Sequence, residues 1–270
     1  MIIMENQIYP TIKNSILLCL LLLLFNVVFA LALIYIFWPN FDLSDYSLLG
    51  EFFASVICWV IVLFIGFKKT KRKFNEVFKF NKVPPFLWFA TTIFIIGFVI
   101  VASELDNLLN FVLPIHETFP MLLEWIEEMA TQKSFAMAII SIGIMPAFME
   151  ELFFRGLILD GLKNNYSTRK AIVVSALLFG IIHLNPWQFL TAFIIGLFSA
   201  WIYISTNSIL LSIYIHLFNN VLVVIAIRFQ KIDITAVEFQ PIWLNLAGLS
   251  IFVLGIILLK KGFAKVKTTT

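Results

Sequence analysis

Apolar residues along this chain come in uninterrupted runs separated by short polar clusters, the pattern of helices that cross roughly 30 Å of hydrocarbon. Windows of about 19 residues predict eight spans, over 14–38, 47–67, 84–105, 134–162, 170–186, 187–205, 208–229 and 241–259. The first apolar run, about 25 residues flanked by Lys13 alone, exceeds the 7–15 residues of a signal-peptide core and reads as a true span. The stretch 106–133 carries Glu117, Glu124, Glu127, Glu128 and two prolines, so it is too polar to cross and predicts an amphipathic helix on the surface. The expected fold class is all-α, a polytopic membrane helix bundle of about eight transmembrane helices, with one transmembrane domain over 1–270.

Composition strengthens this reading: 61% of the residues are hydrophobic and 13% charged, and the mean hydropathy is +0.99. The 30 phenylalanines suit lipid-facing surfaces and carry no chemistry of their own. Cys19 and Cys58 fall in separate apolar runs and read as buried free thiols, and there is no C-x-x-C pair to suggest a metal. With eight spans and the amino terminus inside, Lys13, the seven cations of the 68–82 loop, Lys163, Arg169, Lys170 and the four lysines of the 260–267 tail all face the cytoplasm, 15 of the 19 Lys and Arg. Lys133, Arg228 and Lys231 fall outside and Arg155 within a span, so the positive-inside rule puts both termini in the cytoplasm. Trp38, Trp88, Trp187 and Trp243 lie near span ends, as an interfacial belt would. The net charge of +3 then reflects contact with the inner leaflet; the bilayer is the expected partner and nucleic acid is not.

An ionisable group inside a span is costly enough to be a functional candidate. The span 134–162 holds Glu150, Glu151 and Arg155; later spans hold His183, then His216 with Asn219 and Asn220. Glu51 and Glu104 sit near the outer boundary and read as interfacial, and His116 as a surface residue. Residues four apart share a helix face and neighbours diverge by about 100°, so Glu151 pairs with Arg155 while Glu150 projects elsewhere. Counted from Lys163, Lys170 and Asn207 as markers of the cytoplasmic ends, Glu150, His183 and Asn220 each lie 13 residues in, and His216 nine. At about 1.5 Å per residue these depths are roughly 20 Å and 14 Å, which predicts one polar layer inside the membrane.

"EELFFR" at 150–155, "FGIIH" at 179–183 and "HLFNN" at 216–220 resemble the EExxxR, FxxxH and HxxxN motifs of the CAAX protease and bacteriocin-processing (CPBP or Abi) family of intramembrane proteases. The resemblance covers about 134–230, the family's core, and leaves the first three spans and the last outside. It implies an intramembrane endopeptidase in a bacterial plasma membrane, acting on a CAAX-type tail, a peptide or a membrane protein. It also implies that Glu150 and His183 activate a water and that His216 and Asn220 hold the oxyanion. Glu151 and Arg155 then support the Glu150 helix, and Phe179 packs the His183 ring. No cofactor is favoured. The alternative is a catalytic Zn2+ on Glu150, His183 and His216, with Glu151 as base, although the chain has no HExxH and Asn220 has no place in a zinc site. Two rival functions are a non-enzymatic bacteriocin-immunity or peptide-binding protein and an ion-coupled transporter; the second expects inverted repeats, which the sequence lacks.

Overall fold

A computed structural model of the chain describes residues 7–37, 48–114, 135–230 and 238–269. Among the described residues there are nine helices and no strand, which is the expected all-α bundle. They are α1 (Ile12–Phe37), α2 (Leu48–Thr70), the one-turn α3 (Phe74–Val77), α4 (Pro85–Val112), α5 (Phe135–Asn165), α6 (Thr168–Ile181), α7 (Pro186–Thr206), α8 (Leu210–Gln230) and α9 (Ile242–Thr269). Seven of them are long and apolar enough to cross a membrane. Leu18, Phe94, Phe153, Leu157, Phe179, Tyr203 and Ile215 are among the side chains that close the interior between them.

The exception is α6. The sequence predicts a span over 170–186, but the helix ends at Ile181 after 14 residues, about 21 Å at 1.5 Å per residue. Leu184 takes a left-handed backbone (φ 56°), Asn185 caps α7 by accepting the Gln188 N–H at 2.8 Å, and Pro186 opens that helix. The chain therefore turns at 182–185, and His183 sits on the turn rather than on a helix. Window hydropathy cannot see this stop, because the turn is only four residues long and lies between long apolar runs.

Helix α5 is irregular where its charges lie. Two π-helical segments, Ile139–Ile144 and Leu152–Leu159, flank the α-helical Met145–Glu151. Pro146 has no N–H to give the Ile142 carbonyl in α-helical register, and it sits where the first π segment ends. Side chains from other helices bond the carbonyls of these segments: Asn220 Nδ2 donates to Ile142 O at 3.1 Å and Ser175 Oγ to Phe154 O at 3.2 Å.

Helix α4 runs on to Val112, past the expected end at 105, and packs antiparallel against α9. Gly248, Gly255 and Gly262, seven residues apart, let the two backbones approach: a Cβ on Gly255 would lie 2.4 Å from Phe94 Cα. Gly97 faces back, where a Cβ would lie 2.2 Å from Phe252 N. Glu104, expected to be merely interfacial, joins this pair by accepting from Gln240 N and Asn245 Nδ2, each at 3.0 Å. Trp187, expected in the belt, is buried and donates through Nε1 to Leu113 O at 2.9 Å. Cys19 and Cys58 are free and buried. The expected surface helix beyond residue 114, His116 and its neighbouring glutamates, Trp38, Lys133 and Lys231, and the side chain of Glu51 lie outside the described residues.

At the lysine-rich end a buried carboxylate gathers the loop after α2. Asp160 bonds Arg72, Lys79 at 2.7 Å and Lys163 at 3.1 Å. The same loop is fixed to the α7–α8 turn by Ile209 N to Lys79 O (2.8 Å), Ser208 Oγ to Asn81 O (2.7 Å) and Asn81 Nδ2 to Asn207 O (2.7 Å). Three cations assigned from sequence to the inner leaflet thus neutralise an internal anion. Asp160 falls inside the predicted span 134–162, and the test that singled out Glu150 applies to it equally.

Candidate active site

Glu150 and Glu151 are the last two residues of the α-helical stretch between the π segments, so they leave α5 in adjacent directions. A single imidazole from α8 lies between their carboxylates. His216 Nδ1 is 3.2 Å from Glu151 Oε1 and its Nε2 is 3.9 Å from Glu150 Oε2. Helix geometry correctly separates the two glutamates by face, yet both are directed to opposite nitrogens of one ring.

Glu151 and Arg155 are wholly buried, with Arg155 Nη1 2.9 Å from Glu151 Oε1. The guanidinium also donates through Nη2 to Gly196 O at 3.3 Å and lies 4.5 Å from the centre of the Phe179 ring. One carboxylate oxygen therefore serves Arg155 from its own helix and His216 from α8. Because that acceptor carries no hydrogen, the hydrogen of this bond sits on His216 Nδ1.

Phe179, two residues before the end of α6 and one turn before His183, is the shared wall. Its ring meets His183 edge-on (centroids 5.3 Å, 85° apart) and His216 likewise (5.4 Å, 86°). His183 Nδ1 lies 2.8 Å from Phe179 O. A carbonyl only accepts, so Nδ1 carries the hydrogen and the neutral ring leaves its Nε2 lone pair available. The turn at 182–185 thus gives His183 a fixed tautomer without burying it completely.

Glu150 differs from its neighbour. Its side chain retains 14% exposure against 1% for Glu151, and its Oε2, like that of Glu151, is shielded from solvent without a hydrogen-bond partner in the protein. The 3.9 Å gap to His216 is too long for a direct hydrogen bond. Asn220, one turn beyond His216, is level with Ile142 rather than with Glu150, so the polar layer is tilted relative to the depths counted along the chain. One Asn220 N–H is taken by Ile142 O and the amide oxygen accepts from Asn219 Nδ2 at 3.2 Å; the second N–H remains.

Among the described residues no group of three or more His, Cys, Asp or Glu is placed so that it could hold a metal ion. Sequence reading gave no role to Asp160, Pro146 or Ser175. Only Asp160 carried a signal, a charge within a span; the other two act through the backbone of a neighbouring turn or helix.

The comparisons bear on this same segment. No curated protein and no solved structure matches the chain. Residues 132–222, which hold Glu150, Glu151, Arg155, Phe179, His183, His216 and Asn220, match the family described as type II CAAX prenyl endopeptidase, Rce1-like. The three motifs and the seven apolar helices agree with that match: this is an integral membrane protein whose residues 132–222 are similar to the CAAX protease family.

Proposed function

We propose that the chain hydrolyses a peptide bond within the bilayer, with Glu150 and His183 activating the water and His216 and Asn220 holding the oxyanion. The observation that carries this reading is the carboxylate of Glu150. It makes no ion pair shorter than the 3.9 Å to His216, keeps 14% exposure, and its Oε2 has no hydrogen-bond partner within the protein.

A water held between Glu150 and His183 gives its proton to the carboxylate as its oxygen adds to the scissile carbonyl. The carbonyl oxygen becomes the oxyanion and accepts the free N–H of Asn220. His216 donates to it through Nε2 when the ring carries both protons, since Nδ1–H is committed to Glu151. Collapse breaks the C–N bond, and the proton on Glu150 passes to the departing amine. Glu151 and Arg155 hold the His216 ring; Phe179 holds both imidazoles and the guanidinium.

The description of the matched family, a CAAX prenyl endopeptidase, supports a CAAX-type substrate. The finer reading is a lipid-linked peptide tail or a membrane protein, cut in a bacterial plasma membrane with both termini of the chain cytoplasmic. The cluster of Lys68, Lys69, Lys163 and Lys170 at the ends of α2, α5 and α6 supports that orientation.

The test uses the purified full chain in lipid nanodiscs with an internally quenched farnesylated peptide ending in a CAAX tetrapeptide, and its unprenylated counterpart. Cleavage of either by the wild type and its loss in Glu150→Ala are expected. A correctly inserted Glu150→Ala protein with full activity overturns the reading. Comparing membrane proteomes of cells carrying wild type and Glu150→Ala then identifies the uncut species.

A further inference from the structure

Asn219 and Pro146 have no place in the three motifs, yet both act on the same amide. Asn220 Nδ2 donates to Ile142 O at 3.1 Å, and Asn219 Nδ2 donates to Asn220 Oδ1 at 3.2 Å. Ile142 is the residue whose α-helical donor would be the N–H of residue 146, and residue 146 is proline. Its carbonyl is therefore open to a side chain from α8, at the end of a π segment that widens the backbone there.

We propose that Pro146 and Asn219 are positioning residues for the Asn220 amide. The Ile142 carbonyl, a pure acceptor, holds the nitrogen end of the amide toward α5. The flipped rotamer would set oxygen against oxygen at Ile142, and in the orientation that remains Asn219 Nδ2 donates to the oxygen end and completes the anchoring. With both ends assigned, the remaining Nδ2 hydrogen has a fixed direction. An unanchored Asn would rotate freely and offer its oxygen to the oxyanion as readily as its N–H. This rests on the reading of Asn220 as an oxyanion donor, which its own variant tests separately.

Replacing proline by alanine returns an N–H to position 146, which competes with Asn220 for Ile142 O. Asn219→Ala removes the second contact, and Asn219→Asp replaces a donor by an acceptor at the same size. In the peptide-cleavage assay each is expected to lower kcat about tenfold to a hundredfold with KM unchanged, less than the hundredfold to thousandfold expected for losing one oxyanion donor outright. Each is expected to have little further effect on Asn220→Ala. Asn219→Gln, which keeps the donor, restores part of the rate.

A second measurement does not depend on turnover. With selective 15N-asparagine labelling in nanodiscs and Asn220→Ala for assignment, the Asn220 side-chain amide pair is expected to shift in Pro146→Ala and in Asn219→Ala. An unmoved amide pair in both variants, or full additivity of both with Asn220→Ala, overturns the proposal. Full activity of Asn220→Ala instead removes its role in the chemistry and leaves the geometric assignment to the amide signal.

Discussion

Glu151 Oε1 meets two groups from two helices, an ion pair with Arg155 Nη1 at 2.9 Å and a hydrogen bond with His216 Nδ1 at 3.2 Å. The i,i+4 pair therefore does more than neutralise itself: it fixes which nitrogen of His216 bears a hydrogen and leaves Nε2 turned toward Glu150. Stability and chemistry are joined at one oxygen atom.

Removing one partner of this buried pair separates the two. Glu151→Ala leaves Arg155 uncompensated and is expected to cost about 3–5 kcal/mol, whereas Glu151→Leu combined with Arg155→Met recovers most of that stability. The double variant stays inactive because His216 has lost its acceptor. Thermal unfolding in detergent, read beside cleavage rate, checks both halves.

Glu150 behaves in the opposite way. Its carboxylate makes no close ion pair, so Glu150→Ala and Glu150→Gln are expected to keep the wild-type melting temperature while lowering kcat about a hundredfold to ten-thousandfold. Loss of folding together with activity would make Glu150 a structural residue.

Chelation tests the metal alternative directly. On the proposal that Glu150 activates the water, incubation with a strong zinc chelator is expected to leave cleavage unchanged. Inactivation reversed only by added zinc would replace Glu150-activated water by metal chemistry.

Asp160 anchors the loop after α2 through Arg72, Lys79 and Lys163. Asp160→Asn leaves three cations facing one another and is expected to expose the bonds after Lys71, Arg72, Lys73, Lys79 and Lys82 to trypsin at least several-fold faster, with a loss of about 1.5–3 kcal/mol. Limited proteolysis from the lysine-rich side of sealed vesicles measures it.

The α4–α9 pair lies outside the matched 132–222 segment but braces the bundle. Gly97→Ala places a methyl group against the backbone of Phe252 and is expected to destabilise by about 1–3 kcal/mol through overpacking. Cleavage at low temperature should be spared, since neither helix supplies a motif residue; a variant fully folded but inactive would show that α4 and α9 shape the substrate path.

What the sequence alone determined was local. Long apolar runs specify spanning helices through the length needed to cross hydrocarbon, and eight of the nine described helices fall where such runs were read. The Glu151–Arg155 pair follows from the helical repeat, and the three motifs point to one family from residue identity and order. Tertiary structure decided what depends on register between helices. His216 and Glu151 are 65 positions apart, Asn220 and Ile142 78, and Arg72 and Asp160 88. No local periodicity relates such pairs, because the relative height and rotation of two packed helices are set by side-chain volume, glycine contacts and the few polar bonds between them. The early stop of α6 at Ile181 is of mixed origin: Asn185 and Pro186 open α7 locally, while the Trp187 bond to Leu113 O ties the turn that presents His183 to the end of α4.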